Sequence, residues 1–282
     1  MDKFDVVVIG GGPGGYVAAI RCAQLGLHTA CVDNWRTSQG KPALGGVCLN
    51  VGCIPSKALL DSSHFYYQLQ HDLPAHGIAV TDAQLDIATM QARKEKVVRT
   101  LTGGIEALFL KHKISWLQGL GRMQANNQVE VQDYDGGRVT VEAKNIIIAT
   151  GSAPAPVNDI PCDGARIVDS SGALVFDEVP QHLAVIGGGA IGLELGSVWR
   201  RLGAEVTILN RGQTLLNRVE DDLAKEAHRQ LSTQGLDIRL SAQVAKVSTG
   251  RKQVTVNFRD AQGEQEVKVD RLLVATGRLG GG

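Results

Sequence analysis

The chain has 282 residues, enough for about two domains with separate cores. Lys+Arg and Asp+Glu both number 29, so the formal charge is zero, and neither nucleic acid nor an anionic membrane surface is an expected partner. Hydrophobic residues make up 43% without a run long enough to cross a bilayer, and the 34 glycines gather in short loops, as backbone packed against ligands does.

The opening residues, MDKFDVVVIGGG, enter a strand almost at once, with neither a basic-then-apolar signal segment nor an Arg/Ser-rich transit peptide. The expected location is cytoplasmic. Five cysteines without an export signal argue against a secreted disulfide scaffold, so any disulfide is expected to be catalytic rather than structural. The strand runs into Gly10-x-Gly12-x-x-Gly15, then a helical stretch, a Leu25-Gly26 stop and a second apolar run ending at Asp33. In such a loop the first glycine permits a tight turn. The second lets a pyrophosphate approach the backbone, and the third lets helix and strand pack closely. Pro13 and Gly14 complete the loop. A phosphate then lies on the helix N-terminus, and Asp33 is placed to accept a hydrogen bond from a ribose hydroxyl.

Residues 45 to 57 read GGVCLNVGCIPSK. In a regular helix, residues five apart sit ~140° apart around the axis and cannot form a disulfide without distortion. Asn50, Val51 and Gly52 are expected to let the chain leave helical geometry between Cys48 and Cys53. Pro55 suits the first turn of a helix, which places Cys53 at or just before the helix start. The helix dipole and Lys57 favour a negatively charged sulfur there, and Cys48 is expected further out, open to an incoming thiol. Two unpaired, buried thiols are the alternative, and spacing alone does not choose between the two readings. Cys22, Cys31 and Cys162 lack such surroundings and read as core or incidental.

Two helices are expected over 55–71 and 83–112. A hairpin follows in VEVQDYDGGRVTVEA, turning near Gly136-Gly137, and then IIIATGS, which contains Ala149, Thr150 and Gly151. SAPAP reads as an extended linker, so the domains are expected to span 1–155 and 156–282.

The second half repeats the first. Gly10, Gly12, Gly15, Gly26 and Asp33 recur as Gly187, Gly189, Gly192, Gly203 and Asn210, with Ala190 and Ile191 opening the second helix. A second hairpin, VTVNFRDAQGEQEVKV, turns near Gly263, and LLVATGR closes the copy at Gly277 and Arg278. The first copy is longer, and the extra length holds the cysteines and two helices. The expected fold is α/β, with two Rossmann-like nucleotide-binding domains, each a parallel sheet with a crossover helix and a β-meander. At the end of the second βαβ unit, an acid would hydrogen-bond a ribose diol and repel a 2′-phosphate, whereas a nearby arginine would accommodate one. Asn210 can hydrogen-bond a ribose but repels nothing, and Arg211 follows it, so the preference between NAD and NADP stays open.

GGVCLNVGCIPSKALLDSS, the first glycine loop, IIIATGSAP, IGGGAIGLELGSVWRRLGAEVTIL and LLVATGR together resemble the flavin-dependent pyridine nucleotide-disulfide oxidoreductases, from residue 4 to about 278. Within that family the branch that oxidises dihydrolipoamide is the most similar. Glutathione reductases resemble the chain less, because they usually carry a lysine where Ser56 stands, and mercuric reductases remain a rival. The resemblance implies FAD in the first domain, with Gly46, Val47, Cys48, Lys57 and the Ala149–Gly151 turn near it. It implies a nicotinamide dinucleotide, NAD or NADP, in the second, with Gly277 at its closing turn. No metal is implied. Cys48 is implied as the thiol that exchanges with the dithiol substrate, and Cys53 as the thiol facing the flavin. Lys57 is implied beside the flavin ring, with Glu194 as its ion-pair partner near the nicotinamide. The substrate implied is dihydrolipoamide or a lipoyl domain, and the family's full-length members are homodimers.

Three departures qualify the resemblance. Val47 stands where the family usually has threonine, and Asn210 where it usually has glutamate. The family also continues beyond GRLGGG with a second flavin-binding segment and a dimerisation domain whose His-Glu pair supplies the base. None of the seven histidines here lies in such a context. The resemblance therefore implies that these 282 residues alone hold FAD weakly and have little or no turnover, either as part of an active enzyme that has further residues or as a nucleotide-binding fragment that is itself the whole molecule.

Overall fold

The computed structural model describes residues 1–157 and 159–281. Strand β1 (Lys3–Ile9), helix α1 (Pro13–Gln24) and strand β2 (Thr29–Asp33) form the first βαβ unit. Val-Val-Val-Ile in β1 and Thr-Ala-Cys-Val-Asp in β2 are almost wholly buried, as parallel strands covered on both faces must be. Pro13 occupies the first turn of α1, where its missing N–H costs nothing. After α2 (Gly46–Val51) and α3 (Cys53–His71) comes a 3₁₀ turn over Leu73–His76, then α4 (Ile87–Lys111). The strands β3 (Ser115–Gln118), β4 (Leu120–Gln124), β5 (Gln128–Gln132), β6 (Arg138–Ile148) and the short β7 (Ser152–Pro154) follow.

The first sheet has the order β3-β2-β1-β6-β5-β4. It is parallel from β3 to β6, with Ile9 opposite Val32 on one side and Ile148 on the other, and antiparallel from β6 to β4. The expected meander thus continues the parallel sheet through β6, whose 11 residues serve both.

The second half adds β8 (Ile167–Val168), α5 (Ser170–Ala173), β9 (His182–Ile186), α6 (Ala190–Arg201), β10 (Glu205–Leu209), α7 (Asp221–Thr233) and β11 (Asp237–Arg239). It ends with β12 (Gln243–Thr249), β13 (Val254–Asp260), β14 (Gly263–Val269), β15 (Arg271–Val274) and β16 (Arg278–Gly280). The parallel sheet runs β11-β10-β9-β15-β8, and β12-β13-β14 form a separate antiparallel meander. Its core joins Leu183, Val185, Ile208 and Leu273 of the strands to Leu195, Val198 and Trp199 of α6.

The chain clusters into two compact units. One comprises residues 1–55 and 95–153 with the last residues from Gly280; the other comprises 56–94 and 154–279. Residues 56–94, placed with the first domain by sequence, thus belong to the second unit. Leu59 and Met90 are buried there with Val168, Leu174, Phe176 and Trp199. Gln91 Nε2 donates to Phe176 O at 2.8 Å, and Lys94 Nζ to Leu174 O at 3.0 Å. An amphipathic helix shows its apolar stripe in the sequence, but the stripe does not name the sheet it covers. The fourth helix starts at Ile87 rather than 83, because the Asp86 carboxylate accepts from the Thr89 N–H at 3.0 Å and from its hydroxyl at 2.6 Å, as a capping residue does.

Removing a buried leucine side chain costs ~2–5 kcal/mol. Leu59→Ala is expected to lower the denaturation midpoint reported by Trp199 fluorescence in a Trp35→Phe/Trp116→Phe background. In the complementary Trp199→Phe background, which reports Trp35 and Trp116, a shift seen there and absent from the Trp199 signal would place residues 56–94 with the first unit instead.

Candidate functional site

In the first unit, Gly10 turns the chain out of β1 at φ 109°, and a Cβ there would overlap Ala149 O. A Cβ on Gly15 would overlap Gly10 O, so only glycine lets α1 start this close to the strand end. The helix has no side-chain cap at Gly12, and a Cβ at Gly12 would meet nothing nearer than 3.9 Å, the Cα of Gly46. The helix N-terminus is thus left without a side-chain cap, the arrangement a pyrophosphate needs. Gly14 is exposed beside Ala149, and Ala149 N donates to Ile9 O. The Thr150 hydroxyl donates to Gly281 O, and Gly151 O accepts from Gly281 N.

Beneath the loop, Asp33 Oδ1 accepts from Gly11 N at 3.0 Å. Asp33 Oδ2 is buried, with no hydrogen-bond partner among the described residues. Burial pushes the Asp33 carboxyl above the ordinary carboxylate range, against the opposing pull of the Gly11, Trp35 and Asn34 amides. A desolvated carboxylate oxygen without a donor is costly and suits a ribose hydroxyl, so the first loop fits a dinucleotide such as FAD.

The cysteine segment differs from the expectation in two respects. Asn50 and Val51 remain helical, and Asn50 Nδ2 donates to Gly46 O at 2.9 Å and Leu44 O at 3.2 Å, which ties α2 down. Gly52 alone breaks the geometry, at φ −141° and ψ −116°, and α3 begins at Cys53 itself. Exposure also reverses: Cys53 is exposed and Cys48 half-buried, because Cys48 packs against the cluster holding Leu44, Leu49 and Phe109. Val47 is half-buried on the same short helix. Gly46, at φ 57°, brings α2 against the first loop, where its own Cβ would lie 2.8 Å from Gly12 Cα.

The second unit repeats the turn. Gly187 has φ 119° beside Ala275 O, Gly192 packs beneath Gly187 O, and a Cβ on Gly189 would meet nothing within 4 Å. The helix α6 starts at Ala190 and Ile191 without a side-chain cap, so this loop too fits a dinucleotide pyrophosphate. Gly277 O accepts from Ala155 N at 3.0 Å. Glu194, in the second turn of α6, receives Lys57 Nζ on Oε1 at 2.6 Å and Ser56 Oγ on Oε2 at 3.2 Å. The sequence reading paired Lys57 with Glu194 but assigned Ser56 no contact; its only signal was adjacency to Lys57. Asn210 Oδ1 accepts from Gly188 N at 3.1 Å, as Asp33 does in the first copy, while its Nδ2 donates to Gly212 O at 2.9 Å and Thr214 O at 2.8 Å. Arg211 is exposed. Among the described residues no helix is long and apolar enough to cross a membrane.

A family model described as pyridine nucleotide-disulphide oxidoreductase matches residues 4–280, and the chain belongs to that family. It is 48% identical to a dihydrolipoyl dehydrogenase of Cupriavidus necator, over 98% of this chain and 59% of that protein. It is 45% identical to a leghemoglobin reductase of Vigna unguiculata, over 98% of this chain and 52% of that protein. The solved HOCl-induced flavoprotein disulfide reductase RclA of Escherichia coli superposes with a TM-score of 0.78 at 28% identity, covering 98% of this chain and 57% of that one. The chain thus spans little more than half the length of the curated relatives it matches.

Asp33 gives a prediction with a determined sign. Its pKa is raised on folding, so the favourable contribution of its protonated form is lost as pH rises above the unfolded value, and at pH 7 the ionised group carries its full desolvation cost. Asp33→Asn keeps the Gly11 bond and removes the charge. It is expected to raise the thermal midpoint at pH 7, by roughly 2–4 °C for each kcal/mol relieved. It should also weaken FAD binding ~10-fold or more, as loss of a hydrogen bond to a charged acceptor does. Calorimetry and flavin titration measure the two effects. A lower midpoint together with unchanged FAD affinity would remove the ribose assignment.

Proposed function

We propose that the chain carries the FAD-dependent disulfide oxidoreductase machinery of its family, passing electrons from dihydrolipoamide through Cys48 and Cys53 and FAD to NAD. The observation that carries this reading is the placement of Cys48 within α2 and Cys53 at the first residue of α3, on either side of Gly52, both in the unit that also holds Asp33 and its loop. A glycine break with a helix starting at the second cysteine supports a pair that closes and opens over one of two unpaired thiols.

In the proposed reaction, with the roles that the family resemblance rather than exposure assigns to the two cysteines, a thiolate of the substrate attacks Cys48 Sγ. The Cys48–Cys53 bond breaks, and its electron pair leaves on Cys53. The second substrate sulfur then attacks the first, forming the substrate disulfide and releasing Cys48, which takes up a proton. The dithiol loses two electrons and two protons, and the protein disulfide gains the electrons. Bound FAD supplies the relay that takes an electron pair from thiol chemistry to nicotinamide chemistry. Within the first unit, the α1 N-terminus at Gly12 and Gly15 would hold the pyrophosphate, and Asp33 Oδ2 would accept the ribose hydroxyl. Within the second, the α6 N-terminus at Gly189 would hold the nicotinamide dinucleotide, and Ser56 and Lys57 fix both oxygens of Glu194. The proposed location is the cytoplasm, where a disulfide is expected to be catalytic.

The test uses the chain reconstituted with FAD under anaerobic conditions. Mild reduction is expected to raise the count of titratable thiols by two, and dihydrolipoamide is expected to bleach the flavin absorbance. Cys48→Ser and Cys53→Ser should each abolish that bleaching. An unchanged thiol count, or bleaching of Cys53→Ser at the wild-type rate, would overturn the assignment.

A further inference from the structure

We propose that Asn210 and Arg211 make the second dinucleotide site one that accepts a 2′-phosphorylated adenosine about as readily as an unphosphorylated one, so that NADP is a ligand alongside NAD. This rests on reading the second glycine loop as a nicotinamide dinucleotide site.

The comparison is internal to the chain. In both βαβ units the residue closing the second strand accepts from the second residue of the glycine loop, at 3.0 Å in Asp33 and 3.1 Å in Asn210. The atom left over differs. Asp33 Oδ2 is buried without a partner, an acceptor held for a ribose hydroxyl. The corresponding atom of Asn210 is Nδ2, and both its hydrogens are committed to Gly212 O and Thr214 O. That orientation of the amide is the one its neighbours require, because Nδ2 faces two carbonyl oxygens and Oδ1 faces an N–H. Asn210 therefore folds the 210–214 loop and offers the ribose neither a free donor nor a charged acceptor.

Two consequences follow for the 2′ position. No carboxylate stands at the strand end to repel a phosphate, which is how an acid there selects the unphosphorylated dinucleotide. Next to it, Arg211 is exposed, and among the described residues no ion pair or hydrogen bond of its side chain is present. Arg218, further along the loop, lines a cleft with Glu220, Asp221, Asp222 and Lys225. Arg211 is an exposed cation directly after Asn210, beside the loop that Asn210 folds. A guanidinium is the side chain best shaped to take a phosphate through two parallel N–H donors. Loss of the acid weakens the preference for NAD, and Arg211 adds an attraction that only the 2′-phosphate can use.

The test is calorimetric titration of the full 282-residue chain with oxidised NAD and oxidised NADP in parallel, which reads binding without turnover. The expected result is dissociation constants within about tenfold of each other. Arg211→Ala is expected to weaken NADP about tenfold or more while leaving NAD within about twofold, because the guanidinium serves only the phosphate. Arg211 is exposed, so the variant is expected to fold. If NAD binds and NADP binds a hundredfold or more weaker, the specificity inference fails and the dinucleotide reading stands. An equal effect of Arg211→Ala on both ligands overturns the role of the arginine. Should neither ligand bind, the dinucleotide reading of the second loop fails and the inference with it.

Discussion

The contact on which both halves of the chain depend is the one between the third glycine of each loop and the carbonyl of the first. Gly15 lies under Gly10 O, and Gly192 under Gly187 O, at distances no side chain would allow. That approach lets a helix begin within a few residues of the strand that feeds it, with its uncapped N–H groups beside the end of the sheet. Everything else at each site is placed relative to that turn. Asp33 and Asn210 reach it from the neighbouring strand, and Ala149 and Ala275 reach it from the strand on the other side. Gly46 carries α2, and with it Cys48, against the first turn.

The cysteine segment shows how a short stretch can be rigid on both sides of a single break. Asn50 ties α2 to the backbone at Leu44 and Gly46, and Cys48 and Leu49 anchor it in the first core. Beyond Gly52, α3 runs for 19 residues, and within the second unit Leu59 is buried and Ser56 holds Glu194. In this arrangement Cys53 takes the exposed position because nothing precedes it in its own helix, whereas Cys48 sits mid-helix with a core on one side.

Duplication of a βαβ unit left two loops of the same shape with different chemistry at their floors. In the first, the strand ends in a carboxylate that folding desolvates and leaves with one acceptor unused. In the second, the strand ends in an amide whose donors and acceptor are all engaged with its own loop. The exchange of one oxygen for an NH₂ converts a carboxylate with an unused acceptor into an amide that finishes the fold, and the residue that follows it, Arg211, is an exposed cation. Folding thus carries a desolvation cost at Asp33 that the engaged amide of Asn210 does not.

Much of this was legible in the residues. Glycine spacing, the apolar runs either side of it and the repeat itself determined two βαβ units with parallel sheets, because backbone turns and strand burial are local properties of the chain. The hairpins at Gly136 and Gly263 were legible for the same reason. Tertiary structure alone decided which unit residues 56–94 join, since the apolar faces of α3 and α4 carry no address for the sheet they cover. It alone decided that Cys48 is the more covered thiol, because its partners Leu44 and Phe109 are distant in sequence. It alone showed that Ser56 shares Glu194 with Lys57 and that Asn210 Nδ2 is spent on Gly212 and Thr214. Identity and spacing state which atoms a side chain owns; only the packed chain states which of those atoms are already taken.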